Sequence, residues 1–323
     1  MVRAAMIRKF FTLHFIFLSG LCIASNEEAH GKIEVKQRSD SSCSMYMRDT
    51  RIYSYGLDTL QNIKFWRTLI KLDPDSGLVN IGPSRQIIGT MSVNAYKKMS
   101  NAKCDLWRDS IRKQYSLPDS ERVVFSPGKS DFYKIEKVMP QINTAISVFE
   151  ENGTDPYYAQ AILLIESPGQ MRRSYVGAYG PFQLMKGVAR NMGLTVNKYS
   201  DERKDFSKSA WAAAKLIRTI CIPYTNAMLD ARGIRYNPSD LWYRLLVLHV
   251  YHAGAGNVEK ALNKLGCCDV DGSIELIKQL WSTKAGAFGS ASQNYSQVAL
   301  ACLIELDKAV DNNAEEIFWL GEK

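Results

Sequence analysis

Histidine is scarce in this chain. The 323 residues hold four, His14, His30, His249 and His252. His249 and His252 stand three apart, close enough on a helix to share a metal ion, but no third ligand follows at a recognisable metal-site interval. No metal and no cofactor is therefore expected. The seven cysteines contain no C-x-x-C pair, which argues against zinc-ribbon and dithiol redox chemistry. Cys221 and Cys302 fall in apolar helical patterns and read as buried thiols; one or two disulfides elsewhere are compatible with an oxidising compartment, with pairing that the sequence leaves open. Internal repeats and low-complexity tracts are also lacking, so appended carbohydrate-binding repeats are not expected.

The apolar run Phe10–Leu21 falls short of the roughly 20 residues that span a bilayer. It follows Arg3, Arg8 and Lys9, with no acid, and leads to the small residues Ala24 and Ser25. That layout is the one of a secretory signal over 1–25; the alternative is a retained N-terminal membrane anchor. Cys22 suggests a lipid attachment point, but Leu21 before it is larger than such a site needs. Leaving out Arg3, Arg8 and Lys9 takes the net charge from +8 to +5, which suits a polymer or envelope surface bearing carboxylates and phosphates. Lys and Arg alternate with acids, so no nucleic-acid partner is expected. Export to the periplasm or cell envelope, with or without a membrane anchor, is the expected location, and a monomer the expected state.

What is present is an ordinary globular composition, 46% apolar and 23% charged. Residues 26–45 are polar and read as a flexible leader. Helical periodicity marks Asp58–Leu72, Ser84–Met99 and Ala102–Tyr115, with a short strand at Val123–Phe125 and a boundary at Ser126-Pro127-Gly128. The fold class expected is all-α, with a mostly helical N-terminal accessory region over 46–128 and a catalytic domain over 129–323. Within the latter, Asp131–Glu151 is a long amphipathic helix interrupted at Pro140. Asp155-Pro156 then opens a helix that Ser167-Pro168-Gly169 ends.

That last helix carries the candidate chemistry. The five residues before Glu166 are all apolar, so an acid at its end sits in a buried turn. Desolvation and the negative end of the helix dipole both favour the protonated carboxyl, the form that a general acid needs to protonate a leaving oxygen. The plainer alternative is a carboxylate that caps a turn or pairs with Arg172 or Arg173. Downstream lies the glycine-punctuated stretch Ser174-Tyr175-Val176-Gly177-Ala178-Tyr179-Gly180-Pro181-Phe182-Gln183-Leu184-Met185, expected to enter a helix from Pro181 to Gly193. Later an apolar helix breaks into His249-Val250-Tyr251-His252-Ala253-Gly254-Ala255-Gly256-Asn257-Val258. Glycines near an acid allow close backbone approach to a ligand.

Together these pieces resemble the soluble lytic transglycosylase family, whose lysozyme-like helical core is shared with goose-type lysozyme. The family signature is Glu-Ser, then Ser-x-x-Gly-Ala-x-Gly-x-x-Gln-x-Met, then Ala-Tyr-Asn-Ala-Gly-x-Gly-x-Val, and all three occur in order over roughly 129–265. The stretch Asn197–Asp205 and the Ala-rich helix Ser209–Ile220 look like the membrane-bound murein transglycosylase D branch. The resemblance implies that Glu166 is the catalytic acid and base and that Tyr251 hydrogen-bonds its carboxylate. It places Ser174 near the reacting sugar and Gln183 along the cleft, with Gly177, Met185, His252, Ala253 and Gly254 as the other matched substrate-binding positions. Three departures stand out: the loop after Glu166 is one residue short, Lys186 replaces a Pro, and His252 replaces an Asn.

The activity so implied is cleavage of peptidoglycan between N-acetylmuramic acid and N-acetylglucosamine. The sugar's own 6-hydroxyl attacks to close a 1,6-anhydro ring, and this intramolecular attack removes the need for a second carboxylate. A hydrolytic muramidase would instead use Asp201 or Asp205 as base. A non-catalytic peptidoglycan-binding protein would treat Lys186 and His252 as signs of decay. Asp201, Glu202 and Asp205, interleaved with Arg203 and Lys204 just before a helix, otherwise read as solvated charge and helix caps.

Overall fold

The computed structural model of the chain describes residues 30–82, 84–166, 173–266 and 272–321. The expected signal over 1–25, Arg172 and the cysteine pair Cys267-Cys268 lie outside them. In chain order the elements are β1 (His30–Gln37), β2 (Cys43–Asp49), α1 (Arg51–Ser54), α2 (Gln61–Lys71), β3 (Ser76–Ile81), β4 (Ile87–Ser92), α3 (Val93–Lys97), α4 (Asn101–Gln114) and β5 (Val123–Pro127). There follow α5 (Ile135–Glu151), α6 (Tyr157–Glu166), α7 (Lys186–Asn191), α8 (Phe206–Leu216), α9 (Ile222–Asp230), α10 (Leu241–Ala253), α11 (Ala255–Leu265), α12 (Ile274–Leu280), α13 (Ser290–Asn313) and β6 (Ala314–Gly321).

Helices dominate, but the all-α expectation needs correction by two small antiparallel sheets, one ordered β2-β1-β6 and the other β4-β3-β5. The polar stretch 26–45, expected as a leader without structure, is from His30 onward a strand pair. Alternate residues of β1 make the difference: Ile33 and Val35 are buried while Lys32, Glu34 and Lys36 face outward, the two-residue period of a half-buried strand. Both neighbours supply ladder partners, Tyr46 of β2 and Trp319 of β6 flanking Ile33. The helix expected over Ser84–Met99 is instead β4 followed by the short α3. The β-branched run Ile87-Ile88 pairs with β3, and that pairing overrides a helical spacing of apolar residues. At β3, Gly77 leaves room for the ring of Phe125 on β5, which comes to 2.3 Å from where a Cβ would stand.

Pro140 does not interrupt α5. It lies on the exposed face, where the Glu136 carbonyl deprived of its amide partner is open to solvent. α6 has no solvent face: every residue from Tyr157 to Ile165 is buried, and α5, α8, α10 and α13 pack around it. Gln160 in its middle is also buried, and its amide is satisfied by the backbone of β2, donating to Met47 O at 2.7 Å and accepting from Met47 N at 2.9 Å. Ile33, Ile63, Phe65 and Leu78 of the N-terminal half belong to the same continuous core as α6, α10 and α13. Burial of each large aliphatic side chain in it contributes about 1.5–3 kcal/mol.

Candidate active site

Glu166 is the last residue of α6, at the edge of that core, part-buried. Desolvation pushes its carboxyl up to about 7, against the lowering effect of a hydrogen bond from the Tyr295 hydroxyl to Oε1 at 2.8 Å. Tyr295 is buried on α13. Tyr133, just before α5, and Tyr251 on α10 complete a surround of three phenols. All three are held well above the usual tyrosine range by burial first; the charge of Glu166 comes next for Tyr251 and Tyr295, and for Tyr133 it comes after Cys302. A carboxyl that titrates near neutrality among protonated phenols can give a proton and take one back.

Tyr251 does not bond the carboxylate as the sequence resemblance implied. Its hydroxyl donates to the backbone carbonyl of Phe182 at 2.6 Å, which anchors the glycine-punctuated loop beside Glu166. The direct partner is Tyr295, a residue that sequence reasoning missed, since a lone tyrosine in an amphipathic helix has no signature of its own.

The loop is held by its own backbone and by one buried guanidinium. Ser174 N donates to Ala178 O, and Ala178 N to Ser174 Oγ, both at 2.9 Å, so the serine closes a turn. Gly177 (φ +91°) and Gly180 (φ +84°) permit that turn. Tyr179 and Leu184 then pair across a two-way backbone bridge. Gln183 adopts φ +44°, a conformation costly to a residue with a side chain, and its amide donates to Gly180 O at 3.0 Å. These conformations correct the expected helix start at Pro181: α7 begins only at Lys186, after Met185, which is exposed. Inside the turn sits Arg203, 1% exposed, donating to Gly177 O (3.0 Å) and Leu184 O (2.9 Å).

Asp201 holds Arg203 in a two-pronged pair at 2.8 Å on each oxygen, which together with burial's opposing effect leaves its carboxyl below the usual range. Arg173 also reaches Asp201, at 3.4 Å, so it is not the partner of Glu166. Glu202 is engaged by Lys208 and the Thr195 amide, and Asp205 caps α8 through Lys208 N. Of the acids that a hydrolase would use as base, Asp201 is thus committed to holding the loop through Arg203 and Asp205 to capping α8.

The helix α10 ends at Gly254 (φ +80°), with Ala253 O accepting from Asn257 Nδ2 at 2.8 Å. His252 stacks on Tyr295 with ring centres 4.3 Å apart, so it touches the phenol that bonds Glu166. His249 lies on the buried side of the helix, its Nε2 2.8 Å from Ser296 Oγ. Burial pushes the His249 imidazole below its ordinary value and leaves it neutral, and desolvation lowers that of His252 too, although this residue is exposed at the helix end. Among the described residues no group of three His, Cys, Asp or Glu side chains could hold a metal ion. Cys43, Cys104, Cys221 and Cys302 are free thiols, and no described helix is long and apolar enough to cross a membrane.

The site therefore brings Glu166, Tyr251 and His252 together with the loop of Ser174, Gly177 and Gln183, while Met185 marks the loop's exposed end. No curated protein matches the chain. Residues 144–267 match the family described as Transglycosylase SLT domain, a span from within α5 to the end of α11 that holds Glu166, the loop and Tyr251 and stops before Tyr295. On that match the chain carries a lysozyme-like SLT domain and is an enzyme of the lytic transglycosylase class that acts on peptidoglycan.

Proposed function

We propose that the chain cleaves the β-1,4 bond between N-acetylmuramic acid and N-acetylglucosamine and leaves a 1,6-anhydro end, with Glu166 as acid and then base. The observation that carries this reading is the pairing of a carboxyl titrating near 7 with the commitment of every nearby loop acid to Arg203, Lys208 or a helix cap. Glu166 first protonates the bridging oxygen. The same oxygen atoms, now charged and steadied by Tyr295, accept the proton of the sugar's 6-hydroxyl as it closes on C1. Because nucleophile and electrophile belong to one sugar, no water need be held, and orientation alone is worth on the order of 7 kcal/mol.

Ser174, Gly177, Gln183, Met185, His252, Ala253 and Gly254 form the cleft wall in this reading, and 129–323 is its catalytic domain. In this reading the N-terminal segment directs the enzyme to the periplasm or cell envelope, and the resemblance of the stretch Asn197–Asp205 to the membrane-bound murein transglycosylase D branch supports assigning it to that branch. Mass spectrometry of digested peptidoglycan tests the chemistry. Anhydro ends are expected; reducing ends would identify a hydrolase, and full clearing by Glu166→Gln would remove both.

A further inference from the structure

The two histidines of α10 stand three residues apart and meet adjacent residues of α13. His249 Nε2 lies 2.8 Å from Ser296 Oγ, and His252 stacks on Tyr295 with ring centres 4.3 Å apart and planes 21° apart. Trp281 Nε1 can only donate, and it gives Ser296 Oγ a hydrogen bond of 2.8 Å. The hydroxyl proton of Ser296 is then left for His249 Nε2. This knot, in which His249 and Ser296 are both fully buried, fixes the backbone of α13 over α10. It does not fix the Tyr295 side chain.

That side chain ends in the hydroxyl that bonds Glu166 Oε1 at 2.8 Å. The phenol oxygen lies on the ring axis, so rotation about χ2 leaves it in place, while a swing about χ1 to another rotamer carries it off the carboxyl. A flat ring 4.3 Å away blocks that swing on its side. His252 is exposed and Tyr295 buried, so the imidazole is the outer half of the stack. Tyr251 cannot take over as donor, because its hydroxyl is committed to Phe182 O. The asparagine that the sequence resemblance implies at position 252 has no ring and could not hold the phenol in this way.

Resting on the reading of Glu166 as the acid, we propose that His252 is a positioning residue: its ring holds Tyr295 in the rotamer that donates to Glu166, so the end of α10 helps to set the strength of the acid. The histidine does this as a neutral ring and not by its own titration. Above pH 7 the described groups that face this pair are uncharged. The phenols of Tyr133 and Tyr251, and the Cys302 thiol behind Tyr133, are held above their ordinary values, and the imidazoles of His249 and His252 below theirs.

The test is the alkaline limb of kcat/KM in the full chain, which follows loss of the acid form. Losing the Tyr295 hydroxyl altogether, as in Tyr295→Phe, should move the limb up by about one pH unit. His252→Ala and His252→Asn should move it in the same direction by about half a unit, and His252→Phe, which can still stack, should leave it where it is in the unsubstituted enzyme. Added to Tyr295→Phe, His252→Ala should shift the limb no further, since no hydroxyl remains to be positioned. A limb that His252→Ala leaves in place or moves down, or a shift that adds to that of Tyr295→Phe, overturns the proposal. So does a rise in KM shared by His252→Ala and His252→Phe with the limb fixed, the mark of a ring that only touches substrate. A limb moved by Tyr295→Phe and not by His252→Ala sinks the role of His252 and leaves Glu166 as the acid, whereas full activity of Glu166→Gln removes both.

Discussion

The hydroxyl of Tyr295 reaches Oε1 of Glu166 at 2.8 Å across 129 residues of sequence. A phenol donating to a carboxylate favours its charged form, so this contact opposes the desolvation that drives the carboxyl up to about 7. Tyr295→Phe removes only the donor. The midpoint of the alkaline limb of kcat/KM, which follows loss of the acid form, should move up by about one pH unit, as expected for one hydrogen bond to a charged group. A limb that stays in place or moves down would show that the contact does not tune the acid.

Glu166→Gln should lower kcat by at least about a hundredfold, the lower end of what general acid catalysis contributes. It should also change stability in a definite direction. The folded carboxyl titrates above its unfolded value of 4.5, so between pH 4.5 and 7 the native state binds more protons and wild-type stability falls as pH rises. The Gln variant lacks that penalty. Denaturant unfolding should find it more stable by up to about 3 kcal/mol at pH 8, with little gain at pH 4.

Asp201→Asn distinguishes a structural acid from a catalytic base. With Arg203 1% exposed, loss of its partner leaves a buried cation uncompensated, at a cost of about 3 kcal/mol. The folded carboxyl lies below its usual range, so its contribution is present above about pH 4 and disappears as pH falls through the folded value. The stability gap between wild type and variant should therefore close in acid. Whatever activity survives should still give anhydro ends; a switch in product type would assign Asp201 to the chemistry.

Gly180→Ala should lose more than about 3 kcal/mol, by strain and steric conflict together. A Cβ there would lie 1.9 Å from the backbone oxygen of Arg203, at φ +84°, and neither backbone can yield without opening the loop. Circular dichroism melting is the check. Gly187→Ala, where nothing lies within 4 Å of an added Cβ, serves as the control and should melt close to wild type.

Much of the helical core was legible because its signals are local. Asp155-Pro156 and the unbroken apolar run place α6 and its terminal acid, and the glycine spacing places the turn around Gly177 and Gly180. What escaped is set by partners distant in sequence. β1 reads as a polar leader until Ile33 and Val35 are seen between β2 and β6, and Ile87-Ile88 resembles a helix face until β3 lies beside it. Arg203 illustrates the same limit at the site. Its neighbours Asp201 and Lys204 suggest a solvated charge run, and only the fold shows it enclosed by the carbonyls of Gly177 and Leu184. Tyr251 was found by motif, but its hydrogen-bond partner depended on where Phe182 came to rest.

The ladder in which Val35 faces Ile317 joins a strand near one end of the described chain to one near the other. A polypeptide made from its N-terminus must wait for its final strand before that ladder can close, so this part of the architecture assembles late and by non-local encounter. A product cut short before residue 314 would keep a bare hydrogen-bonding edge on β1, an invitation to pair with another molecule.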